Sequence, residues 1–390
     1  MNSTAVAAAQ ESSESMALLR RAVERFRTRS TDQAPAPMQL EVSAYTDPER
    51  FAREVDAIFM RLPLGLALSL ELPGPGSYRT LNVMSTPVLL VRDRDGVVRA
   101  FLNACRHRGA LVCEQARGKA ERLVCPYHAW QYDLQGRLTG LYGESTFGDI
   151  DKSRNGLVAL PCAERLGIVW VALRPGNDFE IDEWIGPFAE PLASLRLEDW
   201  ELFEQRDIAG PNWKVVWDGY LEAYHHNTVH PQTVGRYTIG NLLLHDTYGP
   251  HQRIVFARRS LAEIVDQPED SWDPAPHIRQ IHSVFPNLSI SGVVGDHCLV
   301  SQVFPGPRVD QTTTRQTVLV AREPGTDEER AASQAFSDLV LRAVRDEDYR
   351  IGAGIQSALA AGANREFTFG RNEPALQHYH RTVARFAAGS

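Results

Sequence analysis

Two short motifs constrain this chain more than anything else in it. Cys105-Arg106-His107 is followed, after seventeen intervening residues, by Cys125-Pro126-Tyr127-His128. Each pair comes after a short apolar run, 100–102 and 123–124, so each is expected on a loop at a strand end where side chains can converge. Two thiolates and two imidazoles suit zinc. They also suit a [2Fe–2S] cluster in which two Cys hold one iron and two His hold the other. Mixed-ligand zinc fingers group Cys with Cys and His with His. Here each loop supplies one of each, as needed when every loop must reach both irons. Neutral imidazole in place of thiolate reduces the negative charge around such a cluster. Its potential rises to roughly −150 to +300 mV, well above an all-Cys ferredoxin.

Composition narrows the field. At 390 residues the chain has room for roughly two domains. A net charge of −8 has the wrong sign for a nucleic-acid binder. No apolar run approaches the ~20 residues of a membrane helix, so no membrane partner is expected. The first fifteen residues lack a basic region followed by an apolar core, so no signal peptide is expected. Five cysteines, odd and sparse, argue against a disulfide scaffold and for a reducing cytoplasm. Cys113, Cys162 and Cys298 fall off both ligand spacings and read as core thiols.

Residues 1–44 read as an N-terminal helical segment and linker, packed with the larger domain. A second helix is expected over 48–59, with Asp47 as N-cap. From 45 to 175 short strands and Asp- and Gly-containing turns, 92–96 and 133–136, predict a small β domain. In 176–390, strands are expected at 201–207, 253–257, 282–285, 288–293, 298–304 and 312–320. Helices are expected at 218–226 and 327–360. An antiparallel sheet with a long C-terminal helix is an α+β arrangement.

NACRHRGALVC and CPYHAWQYDLQG resemble the Rieske domain of the Rieske non-haem iron oxygenases, α subunit, of the aromatic ring-hydroxylating dioxygenase type. His107-Arg108-Gly109, Pro126-Tyr127-His128, Trp130 and Gly136 carry the match. The resemblance covers most of the chain. It implies a small all-β domain holding the [2Fe–2S] cluster on Cys105, His107, Cys125 and His128. It also implies a helix-grip catalytic domain and a head-to-tail homotrimer, with or without a β subunit.

An oxygenase needs a second iron, held by two His and one carboxylate with open positions. Asp218, Glu222 and His225 stand at i, i+4 and i+7, within about 60° on one helical face. His230 precedes Pro231, which pushes it out of the helix so that it can fold back. By geometry alone His225 with His230, and His226 with His230, are nearly even choices. The resemblance favours His225 and His230, leaving His226 beside the pocket. It also points to Asp348, eight residues before Gln356, as the third ligand, with Asp346 as runner-up. Glu222 takes the family's bridging role, between His225 and the neighbouring subunit's second cluster histidine. Many members have Asp there, one methylene shorter. Asp218 is expected close behind the ligands.

The implied function is the oxygenase component of a multicomponent system. A separate flavin reductase, directly or through a ferredoxin, would feed the cluster. NAD(P)H is involved only through that reductase, since no G-x-G-x-x-G follows a strand. Mononuclear Fe(II) would activate O2 and hydroxylate a small hydrophobic substrate, with dihydroxylation of an aromatic ring first and oxidative N- or O-demethylation second. Pocket strands near 282–320 put Ser283, Ser289, Val293, Gln302 and Phe304 forward as lining residues. Two readings from other classes compete. A pure electron carrier would hold only the cluster iron, and a ligand sensor would consume no O2.

Overall fold

The computed structural model describes residues 3–294 and 296–388; the side chains of 3–12 and 292–294 lie outside the described residues. The chain divides into two compact units, Asp56–Trp184 and Met1–Val55 with Ile185–Ser390.

The smaller unit is built from antiparallel sheets. Its five-stranded sheet runs in the order Ala159–Leu160, Val98–Leu102, Thr86–Arg92, Ser77–Val83, Arg117–Lys119. A three-stranded sheet of Leu123–Val124, Gln131–Tyr132 and Leu138–Gly140 carries the second Cys-His pair. The two hairpins use one device. The Asp93 carboxylate accepts from the amides of Asp95 and Val97, and Asp133 accepts from Gln135 and Arg137, all within 2.9–3.0 Å. Gly96 and Gly136 then take positive φ, 83° and 81°, which costs a residue without a Cβ little. At Gly136 a Cβ would also strike the Phe101 ring. Leu89, Val91, Phe101, Leu123, Trp130 and Tyr132 form the core, with Cys105, Cys113 and Cys125 buried in it.

The larger unit centres on a seven-stranded antiparallel sheet. Its order is Glu201–Gly210, Thr312–Val320, His297–Pro305, Leu288–Val294, Ile278–Val284, His251–Arg258, Thr238–Tyr248. The expected strands are all present in it. Thr238–Tyr248 is an addition, with polar residues through its first half and second half that broke the apolar pattern. The N-terminal helix, Ser3–Arg27, lays Leu18, Leu19, Ala22 and Val23 against Leu242, Leu244, Val255 and Ala257. Asp47 caps the next helix, Pro48–Glu54, accepting from the Glu49 amide at 2.8 Å, and a π turn continues it over Val55–Phe59.

Two helix expectations need correction. The expected helix 218–226 is instead Trp213–Tyr220, followed by a turn and a short helix His226–Val229. Glu222 and His225 therefore do not share a helical face with Asp218. The Glu222 carboxylate accepts from the amides of Tyr224 and His225, which competes with helix continuation. The long helix 327–360 is Asp327–Leu341 and Tyr349–Ala360 joined by a π turn at Arg342–Asp348. All five cysteines are free. Burial raises the thiol pKa of Cys113 to about 11 and that of Cys298 to about 12. No helix among the described residues is long and apolar enough to cross a membrane.

Candidate metal centres

In the smaller unit the two Cys-His loops close identically. The Cys105 amide donates to Ala110 O (2.8 Å) and the Gly109 amide donates back to Cys105 O (2.8 Å). The Cys125 amide donates to Trp130 O (2.9 Å) and the Ala129 amide to Cys125 O (3.0 Å). Gly109 and Ala129, at equivalent places, both have positive φ. This turns the two pairs towards each other, with the His107 and His128 ring centroids 4.7 Å apart. His107 stacks on Trp130 at 5.0 Å with an interplanar angle of 6°. Tyr132 places its hydroxyl 3.2 Å from Cys105 Sγ and accepts from the Arg106 amide.

His107 Nδ1 is buried with no hydrogen-bond partner. Such an orphan costs about 1–3 kcal/mol unless something occupies it, and a metal bond would. Burial, then Arg108 and His107, lower the His128 pKa, favouring the neutral imidazole that metal binding needs. The four side chains therefore fit a cluster.

In the larger unit His225, His230 and Asp348 bring their ligand atoms within 4.8 Å of one another. The two Nε2 atoms face each other at 3.1 Å, and Asp348 Oδ1 lies 2.8 Å from His230 Nε2 and 3.5 Å from His225 Nε2. On the far side of each ring, Nδ1 meets a carboxylate: Glu222 for His225, and Glu347 at 2.6 Å for His230. A carboxylate only accepts, so each Nδ1 carries the proton. In the neutral rings both Nε2 lone pairs then point, with Asp348, at one spot. Three acceptors around one point call for a cation. Without a metal, burial lowers the His225 pKa, but Asp348 and Glu222 outweigh it and raise it to about 10, so that a proton on Nε2 takes the place a cation would fill. Two His and one carboxylate with open positions is the donor set of non-haem Fe(II).

The π turn makes this possible. π bulges place an extra residue in a helical turn, and here adjacent Glu347 and Asp348 both reach His230. Thr233 also holds Glu347 through its hydroxyl. Neither Glu347 nor Thr233 was expected from the sequence. The signal for Glu347 was its place directly before a ligand candidate. Asp346, the runner-up, is exposed and pairs with Arg345 at 2.6 Å.

His226 turns away, to Thr238 Oγ1 at 3.1 Å, and burial lowers its pKa to about 3. Asp218 is held by Tyr45 and His380, each at 2.6 Å. Gln356 accepts from the Asn212 amide at 3.0 Å, anchoring the start of the helix that leads to the site.

Beside the three side chains lies a cavity of about 340 Å³. Ser289 is at its wall, but Ser283, Gln302 and Phe304 are not. Strand alternation explains two of these: Leu299 and Ser301 face the cavity, so Gln302 and Phe304, of opposite parity to Ser301's neighbour Leu299 in the pleat, face away. Ser283 shares a sheet face with Ile281 and pairs with Ser289, which both line the cavity, but is not itself at the wall. The Val293 side chain lies outside the described residues.

Comparison with known proteins agrees with this geometry. Residues 64–147 match the Rieske [2Fe-2S] domain, and residues 197–389 match the ring hydroxylating alpha subunit (catalytic domain). The chain is 29% identical to the carnitine monooxygenase oxygenase subunit of Escherichia coli, over 87% of this chain and 91% of that protein. It is 35% identical to the glycine betaine monooxygenase oxygenase subunit of Chromohalobacter salexigens, over 48% of this chain and 42% of that protein. The match thus spans less than half of the latter relative's length. The fold matches the quaternary ammonium Rieske monooxygenase CntA in complex with L-carnitine, with a TM-score of 0.77 and 23% identity, over 91% of this chain and 96% of that one. The chain belongs to the Rieske non-haem iron oxygenases, as an α subunit. Aromatic hydrocarbon catabolism finds no support among these relatives, whose names specify quaternary amines.

Proposed function

We propose that this chain is the oxygenase component of a multicomponent Rieske system. Cys105, His107, Cys125 and His128 hold the cluster, and His225, His230 and Asp348 hold the iron. When bound, the cluster supplies single electrons and the mononuclear iron supplies O2 activation. The ligand atoms of His225, His230 and Asp348, gathered within 4.8 Å of one another, support this most directly.

The remaining residues position these groups. Glu222 and Glu347 fix the proton of each imidazole on Nδ1 and leave Nε2 for the metal. Glu222 is also the link to the neighbouring subunit in a head-to-tail homotrimer. Asp218, through Tyr45 and His380, ties the helix Trp213–Tyr220 in place. Electrons come from a separate reductase or ferredoxin, and the free thiols suit the cytoplasm.

Hydroxylation of the bound substrate is the first reading. Oxidative demethylation is the second, favoured by relatives named for carnitine and glycine betaine. The test is iron analysis with electron paramagnetic resonance, then O2 uptake and product mass with a surrogate reductase. About three iron atoms per chain and substrate-dependent O2 uptake are expected. Cluster iron alone would reduce the protein to an electron carrier.

A further inference from the structure

Arg258 and Arg279 both line the cavity beside the iron ligands. Arg279 stands opposite Phe256 in the antiparallel pair, and Arg258 is two residues beyond Phe256 on the same strand. The two guanidinium-bearing residues are therefore diagonal neighbours on one sheet face. Both are half-buried. Among the described residues neither has a carboxylate partner. Arg258 donates to Pro276 O at 3.3 Å, and Arg279 donates to Ala275 O at 2.9 Å and Ile278 O at 3.1 Å. These carbonyls use few of the five N–H donors that each guanidinium carries.

Paired cations on one wall of a cavity are costly without an anion. Burial, then the neighbouring Arg258, lowers the Arg279 pKa to about 10. The acid on the cavity wall, Asp348, is already committed to His225 and His230. Elsewhere much of the cavity wall is apolar, with Phe256, Phe336, Leu339 and Val340 among its residues. Planar guanidinium groups match carboxylate and sulfonate oxygens in geometry and charge.

We propose that Arg258 and Arg279 form the anion seat of the substrate site, so that the substrate is an organic acid whose uncharged or cationic body points towards His225 and His230. This rests on the oxygenase reading of the cavity and names the substrate class for it. Specificity would then be set at the end of the substrate remote from the reacting carbon.

The test is calorimetric binding to the purified iron-loaded protein of three probes of similar shape: phenylacetate, phenylacetamide and phenethylamine. The carboxylate should bind about tenfold or more tightly than the amide, and the amine weakest. Arg279→Gln should bring carboxylate and amide close to parity, Arg279→Lys should keep part of the preference, and Arg258→Gln should reduce it. Because Arg279 also donates to two backbone carbonyls, Arg258→Gln decides the matter if Arg279→Gln proves unfolded by its melting curve. Equal binding of carboxylate and amide, a preference unchanged in the Gln variants, or no detectable carboxylate binding would overturn the proposal. Iron content and O2 uptake judge the oxygenase reading separately. A three-iron protein that shows no carboxylate preference overturns the anion seat alone. A carboxylate preference in a protein without the second iron overturns the oxygenase reading alone.

Discussion

Glu347 Oε2 lies 2.6 Å from His230 Nδ1, on the side of the ring away from His225. The contact orients the imidazole and makes it a better donor. Glu347→Gln should weaken iron binding by about 10–100-fold while leaving the cluster in place. Asp348→Ala should remove the mononuclear iron outright. Iron titration followed alongside the visible absorbance of the cluster separates the two metals. Full iron retention in Asp348→Ala would exclude it as a ligand.

Tyr132 offers its hydroxyl to Cys105 Sγ at 3.2 Å. A hydrogen bond to sulfur stabilises the more negative, reduced cluster. Tyr132→Phe should therefore lower the reduction potential, on the order of tens of mV, with the cluster still assembled. A redox titration monitored by electron paramagnetic resonance reads the shift. An unchanged or higher potential would count against the contact.

Glu222 bonds His225 Nδ1 and two backbone amides. Glu222→Gln keeps the shape and removes the charge. Product formation coupled to O2 uptake should fall by about tenfold or more, with iron content little changed. Coupled turnover equal to that of the parent protein, at equal iron, would remove Glu222 from the link between centres.

Acid should loosen the docking of the N-terminal helix. Arg21 reaches Asp246 at 2.8 Å, and Arg253 reaches it at 3.0 Å. Burial raises the Asp246 pKa, but these two arginines outweigh it and hold it below its usual 3.8. The folded pKa is depressed, so this contribution is complete above the unfolded value of about 3.9 and is lost as pH falls through the folded one. Asp246→Asn should flatten the decline of melting temperature as pH falls below about 4. An equally steep decline in the variant would assign the acid sensitivity elsewhere.

The parts of the fold that could be read from the residues are those encoded locally. The Asp-Gly hairpins, six of the seven strands of the large sheet and the Asp47 cap follow from turn chemistry and alternation over a few residues. The two Cys-His pairs were legible for the same reason: each loop closes within six residues of its cysteine. What could not be read depended on one local competitor for the backbone and on contacts distant in sequence. The helix at Trp213 stops because Glu222 turns back on its own backbone. Glu347 finds its role only when the chain returns, more than a hundred residues later, to His230. Gln302 and Phe304 were placed at the cavity by alternation, which does not say which face of a strand looks inward; the pairing of Ser289 with Ser301, both at the wall, sets that face.

Residues Arg342–Asp348 act as a register device. With one residue fewer, this stretch could run as plain α-helix, and its neighbours would step about 100° around the axis per residue. Either Glu347 or Asp348 would then leave His230. The helix irregularity and the second carboxylate on that imidazole are thus a single trait, gained or lost by one insertion or deletion.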